Sequence, residues 1–335
     1  TTLFRSSYFK QNNIMKALVT GGGGYIGSTV ANFLIDRGHD VTIIDNLSTG
    51  IKKNIPNKAI FFKTDISDSK KIKKILAKKS FDIVLHFAAF INNEESIEHP
   101  KKYYKNNFID GKKFFQICLK YKINNFIYSS TAAVYGNKNK RVNENDQLKP
   151  LSAYPKSKLK LEDYLKKNKS EISCIILRYF NVAGVDKKLR SGFNVKKGYN
   201  LILNLCAASL KKKMFIINGD NYNTLDGTPV RDYIDVVDLA NIHLLAAKLV
   251  LKKKIFKILN CGYGEGFSVK QILDTFNKMS KKKIKYKVGK RRASDIVVSI
   301  ANPKKLKHFT GWKPKFNNLE QIVKSSLKWY KKSIS

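Results

Sequence analysis

The sequence predicts an α/β fold: a doubly wound parallel sheet covered by helices on both faces, with a smaller mixed α/β lobe. Three observations predict it. Short apolar runs rich in β-branched residues alternate with longer helical stretches from residue 15 to about residue 182, which is the pattern of βαβ units. The runs are apolar throughout, as expected of strands that are buried on both faces. A run of four glycines joins the first strand to the first helix.

The elements follow one another in a regular order. Strands are predicted at residues 16–20, 41–45, 60–63, 83–87, 125–129 and 173–178. Helices are predicted at residues 27–37, 68–79, 103–121 and 151–168. Right-handed crossovers between the strands then produce the doubly wound arrangement. After about residue 183 the pattern becomes irregular, with Gly-, Asn- and Lys-rich loops, and predicts a lobe of loops and short helices.

The chain therefore divides into three predicted parts. We expect a sheet domain over residues 15–182 and a second lobe over residues 183–332, with some of its segments returning to the sheet. Residues 1–14 lack the apolar core of a secretory signal and are basic. They are expected to be a disordered or non-native extension before Met15.

Composition limits the classes of protein that remain. The 335 residues include 65 Lys and Arg against 25 Asp and Glu, a net charge of +40, with 43% hydrophobic residues. That apolar fraction argues against a disordered chain, and no apolar run approaches the roughly 20 residues that span a membrane. A basic chain can bind nucleic acid, but only eight of its basic residues are Arg, the residue favoured for base contacts. The lysines occur in short runs typical of solvated surface, so nucleic-acid binding is the remote alternative.

Four scattered cysteines predict buried free thiols. Cys118, Cys174, Cys206 and Cys261 lie among apolar residues, without Cys-x-x-Cys spacing and without a histidine at metal-ligand spacing. We expect no metal site. Buried, unpaired thiols indicate a reducing compartment, and cytoplasmic localisation is expected.

The glycine run has the context of a dinucleotide-binding Rossmann turn. Gly21, Gly24 and Gly27 follow the first strand and open the first helix. Glycines there permit the tight turn, a close approach to a pyrophosphate and close helix–strand packing, while the helix N-terminus favours phosphate. Asp45 ends the next strand, where its carboxylate can bind the ribose hydroxyls and repel a 2′-phosphate. NAD is therefore favoured over NADP.

A tyrosine and a lysine one helical turn apart indicate proton transfer. Tyr154 and Lys158 lie at positions i and i+4 of a predicted helix. A tyrosine has an ordinary pKa of about 10, so we expect the lysine, together with a positive nicotinamide, to lower that pKa and make the phenolate usable. Thr131 follows the fifth strand, and its hydroxyl can relay a proton between Tyr154 and a substrate oxygen.

Taken together, these motifs resemble the UDP-glucose (UDP-galactose) 4-epimerases of the extended short-chain dehydrogenase/reductase superfamily. The resemblance runs from about residue 15 to residue 330. The motifs that carry it are residues 21–27, 45–50, 86–89, 128–136, Tyr154 with Lys158, 178–181 and 226–234.

The resemblance implies an NAD cofactor, a UDP-sugar substrate, a homodimer whose contact includes the predicted helix 103–121, and a set of site residues. Those implied to line the NAD site are Gly21, Gly24, Tyr25, Ile26, Gly27, Asp45, Asn46, Leu47, Ser48, Thr49, Gly50, Asp65, Ile66, Phe87, Ala88, Ala89, Asn106, Ser129, Tyr154, Lys158 and Phe180. Those implied to bind substrate are Thr131, Asn181, Asn200, Leu201, Arg231, Arg292 to Asp295 and Ser299.

Several of these residues have simpler interpretations. Asp65 could cap a helix, Arg231 could pair with Asp232 or Asp235, and Asn200 could be an ordinary loop residue.

The alanine pair after Thr131 and the serine at position 299 refine the expected reaction. Sugar-nucleotide 4,6-dehydratases place Asp-Glu after the threonine, whereas this chain has Ala132 and Ala133, which favours epimerisation. Ser299 stands where glucose-restricted relatives carry a tyrosine, and a small side chain leaves room for an acetamido group. Ile91 departs from the family pattern, because many relatives have a lysine there near the cofactor phosphates; this weakens one contact and leaves the expected reaction unchanged. The expected reaction is C4 epimerisation of UDP-hexoses, including UDP-GlcNAc, by transient oxidation to a 4-keto sugar. A UDP-glucuronate 4-epimerase or a reductase is the alternative.

Overall fold

The computed structural model describes residues 14–138, 140–196, 200–211, 213–292 and 295–335. Its strands are β1 Lys16–Thr20, β2 Asp40–Asp45, β3 Ile60–Lys63, β4 Ile83–His86, β5 Asn125–Thr131, β6 Ser173–Tyr179, β7 Asn181–Ala183, β8 Phe215–Asn218, β9 Val230–Arg231, β10 Tyr233–Asp235, β11 Phe256–Cys261, β12 Phe267–Ser268, β13 Tyr286–Gly289 and β14 Val298–Ser299. Its α-helices are α1 Tyr25–Ile35, α2 Ser69–Lys78, α3 Glu95–Glu98, α4 Pro100–Tyr103, α5 Gly111–Lys120, α6 Ala153–Lys167, α7 Leu201–Lys211, α8 Val236–Lys252, α9 Val269–Ser280, α10 Lys304–Thr310 and α11 Leu319–Ile334. A π-helix spans Tyr104–Asp110, and 3₁₀ turns span Lys52–Asn54 and Ala132–Tyr135.

The main sheet confirms the predicted fold class. Seven strands lie in the order β11-β6-β5-β4-β1-β2-β3, and every neighbouring pair is parallel. The strand order reverses between β1 and β4. In an open α/β sheet, ligands bind outside the carboxyl ends of the strands at that reversal, so the topology places a cleft beside Thr20 and His86.

Helices bury both faces of the sheet. Alternate strand residues point to opposite layers, and neighbours in β1 illustrate this, since Val19 belongs to one core and Leu18 to the other. The Val19 core is completed by residues of α1 and α8. The Leu18 core is completed by residues of α2, α5 and α6. These layers fix α6 against β5, which positions the candidate catalytic residues.

The predicted helix over residues 103–121 is interrupted. The structure divides it into α4, the π-helix Tyr104–Asp110 and α5. Within the π-helix, the buried Asn107 side chain accepts from the Phe90 amide and donates to the Phe90 carbonyl, each at 2.9 Å. Helical periodicity could not reveal this insertion, because it depends on a contact with the loop after β4.

The lobe after residue 183 is more regular than the sequence predicts. Loops and short helices were expected, but α8 has 17 residues and packs against α1. The strand that follows it, β11, joins the edge of the main sheet beside β6. Smaller sheets pair β7 with β10, β8 with β13, and β9 with β12 and β14. Residues 236–250 are largely apolar on every side. A helix that is buried between layers has no solvated face, so its sequence lacks the amphipathic pattern that predicts a surface helix.

Three further findings concern the expected classes of site and compartment. Within the described ranges, no helix is long and apolar enough to cross a membrane. Over the same residues, no group of three or more His, Cys, Asp or Glu side chains is arranged to hold a metal ion. The four cysteines are buried free thiols.

Candidate active site

At two positions of the turn between β1 and α1, neighbouring backbone atoms leave space only for glycine. Gly21 has φ +72°, and a Cβ on it would lie 2.6 Å from the Ala88 nitrogen. A Cβ on Gly27 would lie 2.3 Å from the Gly21 carbonyl oxygen. Gly24 is the N-cap of α1 and makes no side-chain cap hydrogen bond. The first N–H groups of the helix, at Tyr25 and Ile26, have no partner within the helix and point toward its N-terminal end. This backbone cradle suits a pyrophosphate.

Asp45 lies at the end of β2 with its carboxylate beside the glycine turn. The side chain is buried, and its two oxygens accept the Gly23 amide at 2.8 Å and the Leu47 amide at 2.7 Å. Leu47 has φ +61°, and a Cβ on Gly50 would lie 3.0 Å from the carboxylate. The loop over residues 46–50 is therefore wrapped around one carboxylate. Each oxygen retains a second lone pair for a ribose hydroxyl.

The neighbouring strand end carries a second carboxylate. Asp65 accepts the Asn46 side-chain amide at 2.6 Å and the Ser67 main-chain amide at 2.8 Å. Burial alone would raise the pKa of Asp65, but these hydrogen bonds outweigh it and lower the pKa. The cap interpretation finds no support at this residue, because Asp68 rather than Asp65 caps α2. Ile66 is packed in the core, so only its main chain lies at the sheet edge.

The other residues of the predicted cofactor site lie in β5 and in the segments that follow β2, β4 and β6. Phe87, Ala88 and Ala89 follow β4 and are half-buried, and the Phe87 amide donates to the Thr20 carbonyl at 3.0 Å. Asn106, in the π-helix, donates to Asn107 at 2.8 Å. The remaining positions are Ser48 and Thr49 in the loop after β2, Ser129 in β5, and Phe180, which is packed in a small cluster with Ala132 and Tyr135.

Tyr154, Lys158 and Thr131 come together where α6 crosses the carboxyl end of β5. The Thr131 side chain interacts with the Tyr154 phenol and lowers the pKa of that group. The Lys158 side chain is buried, and its Nζ donates to the Ser129 carbonyl oxygen at 2.7 Å. That ammonium also lies 5.0 Å from the centre of the Tyr128 ring.

Burial dominates the electrostatics of both Tyr154 and Lys158. Burial raises the pKa of Tyr154, and the Thr131 side chain opposes that rise. The Lys158 ammonium donates to the Ser129 carbonyl, and burial lowers its own pKa to about 7. That Lys158 and a positive nicotinamide together lower the pKa of Tyr154 stays a prediction. His86 is a core histidine: it is buried, its pKa is lowered to about 3 by burial, and Nδ1 lies 2.8 Å from the Thr20 hydroxyl.

Residues predicted to bind substrate make contacts across the second lobe. Arg231 pairs with Asp295 at 2.9 Å rather than with Asp232 or Asp235. Those two carboxylates instead accept main-chain amides: Asp232 accepts three, from 263, 264 and 301, and Asp235 accepts that of Val237. Arg231 and Ser299 are register partners in β9 and β14, so their side chains share a face.

The other predicted substrate residues differ in their surroundings. Arg292 lies 2.8 Å from Glu94, which belongs to the loop after β4, so this ion pair joins the second lobe to the cleft edge. Asn200 accepts the Leu203 amide at 2.8 Å and so caps α7, at whose first residue Leu201 lies. Asn181 is exposed in β7. Ala293 and Ser294 lie outside the described residues.

The cradle, the buried Asp45 and the edge position fit a dinucleotide. A sequence profile of one enzyme family, the NAD dependent epimerase/dehydratase family, matches residues 17–262. The chain belongs to this family. It is an NAD-dependent enzyme, and NAD is its cofactor.

Individual relatives extend along nearly the whole chain. The UDP-glucose 4-epimerase of Lactobacillus helveticus is 36% identical over 321 residues, which are 95% of this chain and 97% of the relative. The Stenotrophomonas maltophila UDP-glucose-4-epimerase, crystallised with bound NAD and formylated UDP-arabinopyranose, has a TM-score of 0.91 at 29% identity, covering 96% of this chain and 99% of that one. The UDP-Glc/GlcNAc 4-epimerase of Campylobacter jejuni has a TM-score of 0.82 at 37% identity, covering 95% and 99%.

Sequence reasoning missed two groups at the site. Glu162, one turn beyond Lys158 on α6, forms a buried ion pair with Arg178, and its spacing from Lys158 was the available signal. Glu94 was also missed, because nothing near it in the sequence indicates its contact with Arg292. Ile91, the departure from the family pattern, is 70% exposed.

Proposed function

We propose that this protein catalyses reversible C4 epimerisation of UDP-hexoses, interconverting UDP-glucose with UDP-galactose and UDP-GlcNAc with UDP-GalNAc. One observation carries the proposal: the side chains of Tyr154 and Thr131 interact at the carboxyl end of β5, where Lys158 of the same helix face donates to the Ser129 carbonyl at 2.7 Å. The two residues after Thr131 are alanines in a 3₁₀ turn, and they supply no acid to eliminate water. That favours a reaction which returns the sugar to its original oxidation level.

The chain's own residues would handle the proton. Bound NAD⁺ supplies the acceptor and donor of the hydride at C4 of the sugar. Tyr154 accepts the proton of the 4-hydroxyl and returns it, while Thr131 holds that oxygen and the phenol in one hydrogen-bonded line. Because burial raises the pKa of Tyr154, the phenol needs a nearby positive charge to deprotonate. Lys158, one turn along the same helix, supplies that charge when it is protonated.

The second lobe would hold the nucleotide diphosphate. Arg231 and Arg292 present guanidinium groups, whose planar donors suit phosphate oxygens. Arg231 is already oriented by Asp295 and by the Val230 and Val297 carbonyls, and Asp295 retains acceptor capacity for a ribose hydroxyl. Ser299, on the same face as Arg231, leaves space for a C2 acetamido group. The C. jejuni relative, named for both glucose and N-acetylglucosamine substrates, supports this breadth.

Three further assignments belong to the proposal. Residues 15–182 would form the NAD-binding domain and residues 183–332 the UDP-sugar lobe, with β11 returning to the sheet. A homodimer would form through the helical stretch over residues 103–121, where Ile109 is 55% exposed. A reducing, cytoplasmic location is supported by four cysteines that remain free thiols.

A product assay tests the reaction. The protein is incubated separately with UDP-glucose and with UDP-GlcNAc, and the C4 epimers are resolved while absorbance at the NADH wavelength is followed. We expect both epimer pairs without net NADH. NADH accumulating in proportion to substrate would instead indicate a dehydrogenase or reductase, and absence of UDP-GalNAc would contradict the role given to Ser299. Tyr154→Phe, with NAD still bound, should lose at least about 100-fold in kcat.

A further inference from the structure

On α6, three side chains at four-residue intervals contact three consecutive residues of β5. Tyr154 interacts with the side chain of Thr131, the last residue of the strand, and Lys158 donates to the carbonyl two residues earlier. Glu162 binds the residue between them. One helix face therefore contacts the strand segment 129–131 through three successive turns. The first two contacts involve residues assigned to the reaction, and the third involves none of them.

The third contact joins Glu162 to Ser130. The Ser130 hydroxyl donates to the Glu162 carboxylate, and both side chains are 2% exposed. Ser130 lies between two residues that contact α6. The Ser129 carbonyl oxygen accepts a hydrogen bond from Lys158, and the Thr131 side chain interacts with the Tyr154 phenol. A contact that fixes Ser130 therefore fixes the positions of both neighbours relative to α6.

Glu162 is itself held in one place by Arg178 on β6. Arg178 donates from Nη2 to one carboxylate oxygen at 2.6 Å, and from Nε to both oxygens at 3.1 and 3.2 Å. Its Nη1 donates to the Tyr135 hydroxyl at 2.9 Å, which donates to Asn260 at 2.7 Å. A buried ion pair is stable only when its geometry is good and its remaining donors and acceptors are satisfied. This network meets that condition and leaves the carboxylate one orientation.

We propose that Glu162, held by Arg178, is a positioning residue that acts through Ser130 to align the end of β5 with Tyr154 and Lys158. Its charge acts in the same direction: burial lowers the pKa of Lys158, and the Glu162 carboxylate opposes that lowering. The kinetic part of this inference rests on the proposed function. Displacements of about 1 Å in an active site can cost roughly 100-fold in rate, so a loosened strand end should reduce turnover more than substrate binding.

Ser130→Ala is the sharpest test, because it removes the link while leaving the Glu162–Arg178 pair complete. The matched control is Ser173→Ala. Ser173 is also buried, begins β6 at the opposite edge of the sheet, and donates to the Val250 carbonyl at 3.2 Å. For each variant, kcat and KM for UDP-glucose, bound NAD per chain and the melting temperature are measured.

We expect Ser130→Ala to lower kcat at least tenfold, with KM within twofold and NAD retained. Ser173→Ala should keep kcat within twofold despite a comparable fall in melting temperature. The proposal is overturned if Ser130→Ala keeps kcat within twofold, if it changes KM alone, or if both variants lose activity in step with their melting temperatures.

A second measurement needs no substrate and therefore separates this inference from the proposed function. Crystal structures of the NAD-bound wild type and of Ser130→Ala are compared at the Tyr154–Thr131 and Lys158–Ser129 contacts. We expect at least one contact to lengthen by about 0.5 Å or more, which is the tolerance of a catalytic arrangement. Two unchanged contacts would overturn the positioning role, whatever the enzyme's substrate proves to be.

Discussion

Replacing Asp45 by alanine tests the cofactor site at its most constrained residue. The carboxylate is enclosed by the glycine turn and the loop 46–50, and each oxygen already accepts one main-chain amide, at 2.8 and 2.7 Å. Two lone pairs are left for the ribose hydroxyls. Hydrogen bonds to a charged group are worth about 1.5–3 kcal/mol each, so loss of the pair should weaken NAD binding by about 3 kcal/mol or more. That corresponds to a fall in affinity on the order of 100-fold.

The same change should relax the discrimination against NADP, because the negative charge that repels a 2′-phosphate is removed. Calorimetric titration of cofactor-free protein with NAD and with NADP measures both effects. Asp40→Ala is the control: Asp40 is exposed at the opposite end of β2 and should leave both affinities unchanged. NAD affinity of Asp45→Ala within threefold of wild type, or undiminished rejection of NADP, would refute the reasoning.

Three further predictions concern the pocket, the cleft and pH. Ser299→Tyr should reduce turnover of UDP-GlcNAc by a factor at least ten times larger than its reduction of UDP-glucose turnover. Equal losses for the two substrates would contradict the pocket assignment. Glu94→Gln frees Arg292 from an exposed ion pair of 2.8 Å, which is worth about 0.2–1 kcal/mol. The KM for UDP-sugars should therefore fall by up to about fivefold at low salt, whereas the control Glu98→Gln should leave KM unchanged. An unchanged KM in Glu94→Gln would count against competition between Glu94 and the substrate for Arg292. Burial raises the pKa of Asp235 to about 7, so the folded state holds a proton that the unfolded chain releases above about pH 4, and stability from this group is lost as pH rises toward and through 7. Asp235→Asn should therefore show a smaller fall in melting temperature between pH 5 and pH 8.5 than the wild type, and equal falls would disprove it.

Much of the fold could be predicted because its signals are local. The strands of the main sheet are short apolar runs, and the glycine turn carries its own backbone requirements at Gly21 and Gly27. The spacing of Tyr154 and Lys158 likewise fixes their common helix face. Each of these features depends on residues within one or two turns of each other, so the sequence pattern contains the relevant geometry.

The partners of charged side chains could not be predicted in this way. Arg231 was given Asp232 or Asp235 as possible partners because they are close in sequence. In the folded chain Asp232 accepts three main-chain amides, and Arg231 instead meets Asp295, 64 residues away. The arrangement of the strands in the folded chain therefore decides which carboxylate pairs with Arg231. Burial affects electrostatics in the same way, since it raises the pKa of Tyr154 and lowers that of Lys158, and the spacing of the two residues does not show how deeply each is buried.

The helix α8 was missed for a related reason. Its residues are apolar on most sides because it is covered by α1 on one side and by other elements around it. Amphipathic periodicity marks a helix that has one solvated face. A helix without such a face resembles any other apolar segment until the layers that cover it are known.

Transfer of an isotope label tests the central claim most directly. UDP-galactose deuterated at C4 is converted by the NAD-bound enzyme, and the UDP-glucose formed is analysed for deuterium at that carbon. If the hydride leaves C4 and returns to the same carbon on the opposite face, the product retains essentially all of the deuterium at C4 and no deuterated NADH is released. Replacement of the label by solvent hydrogen, or release of the label in free NADH, would contradict the account.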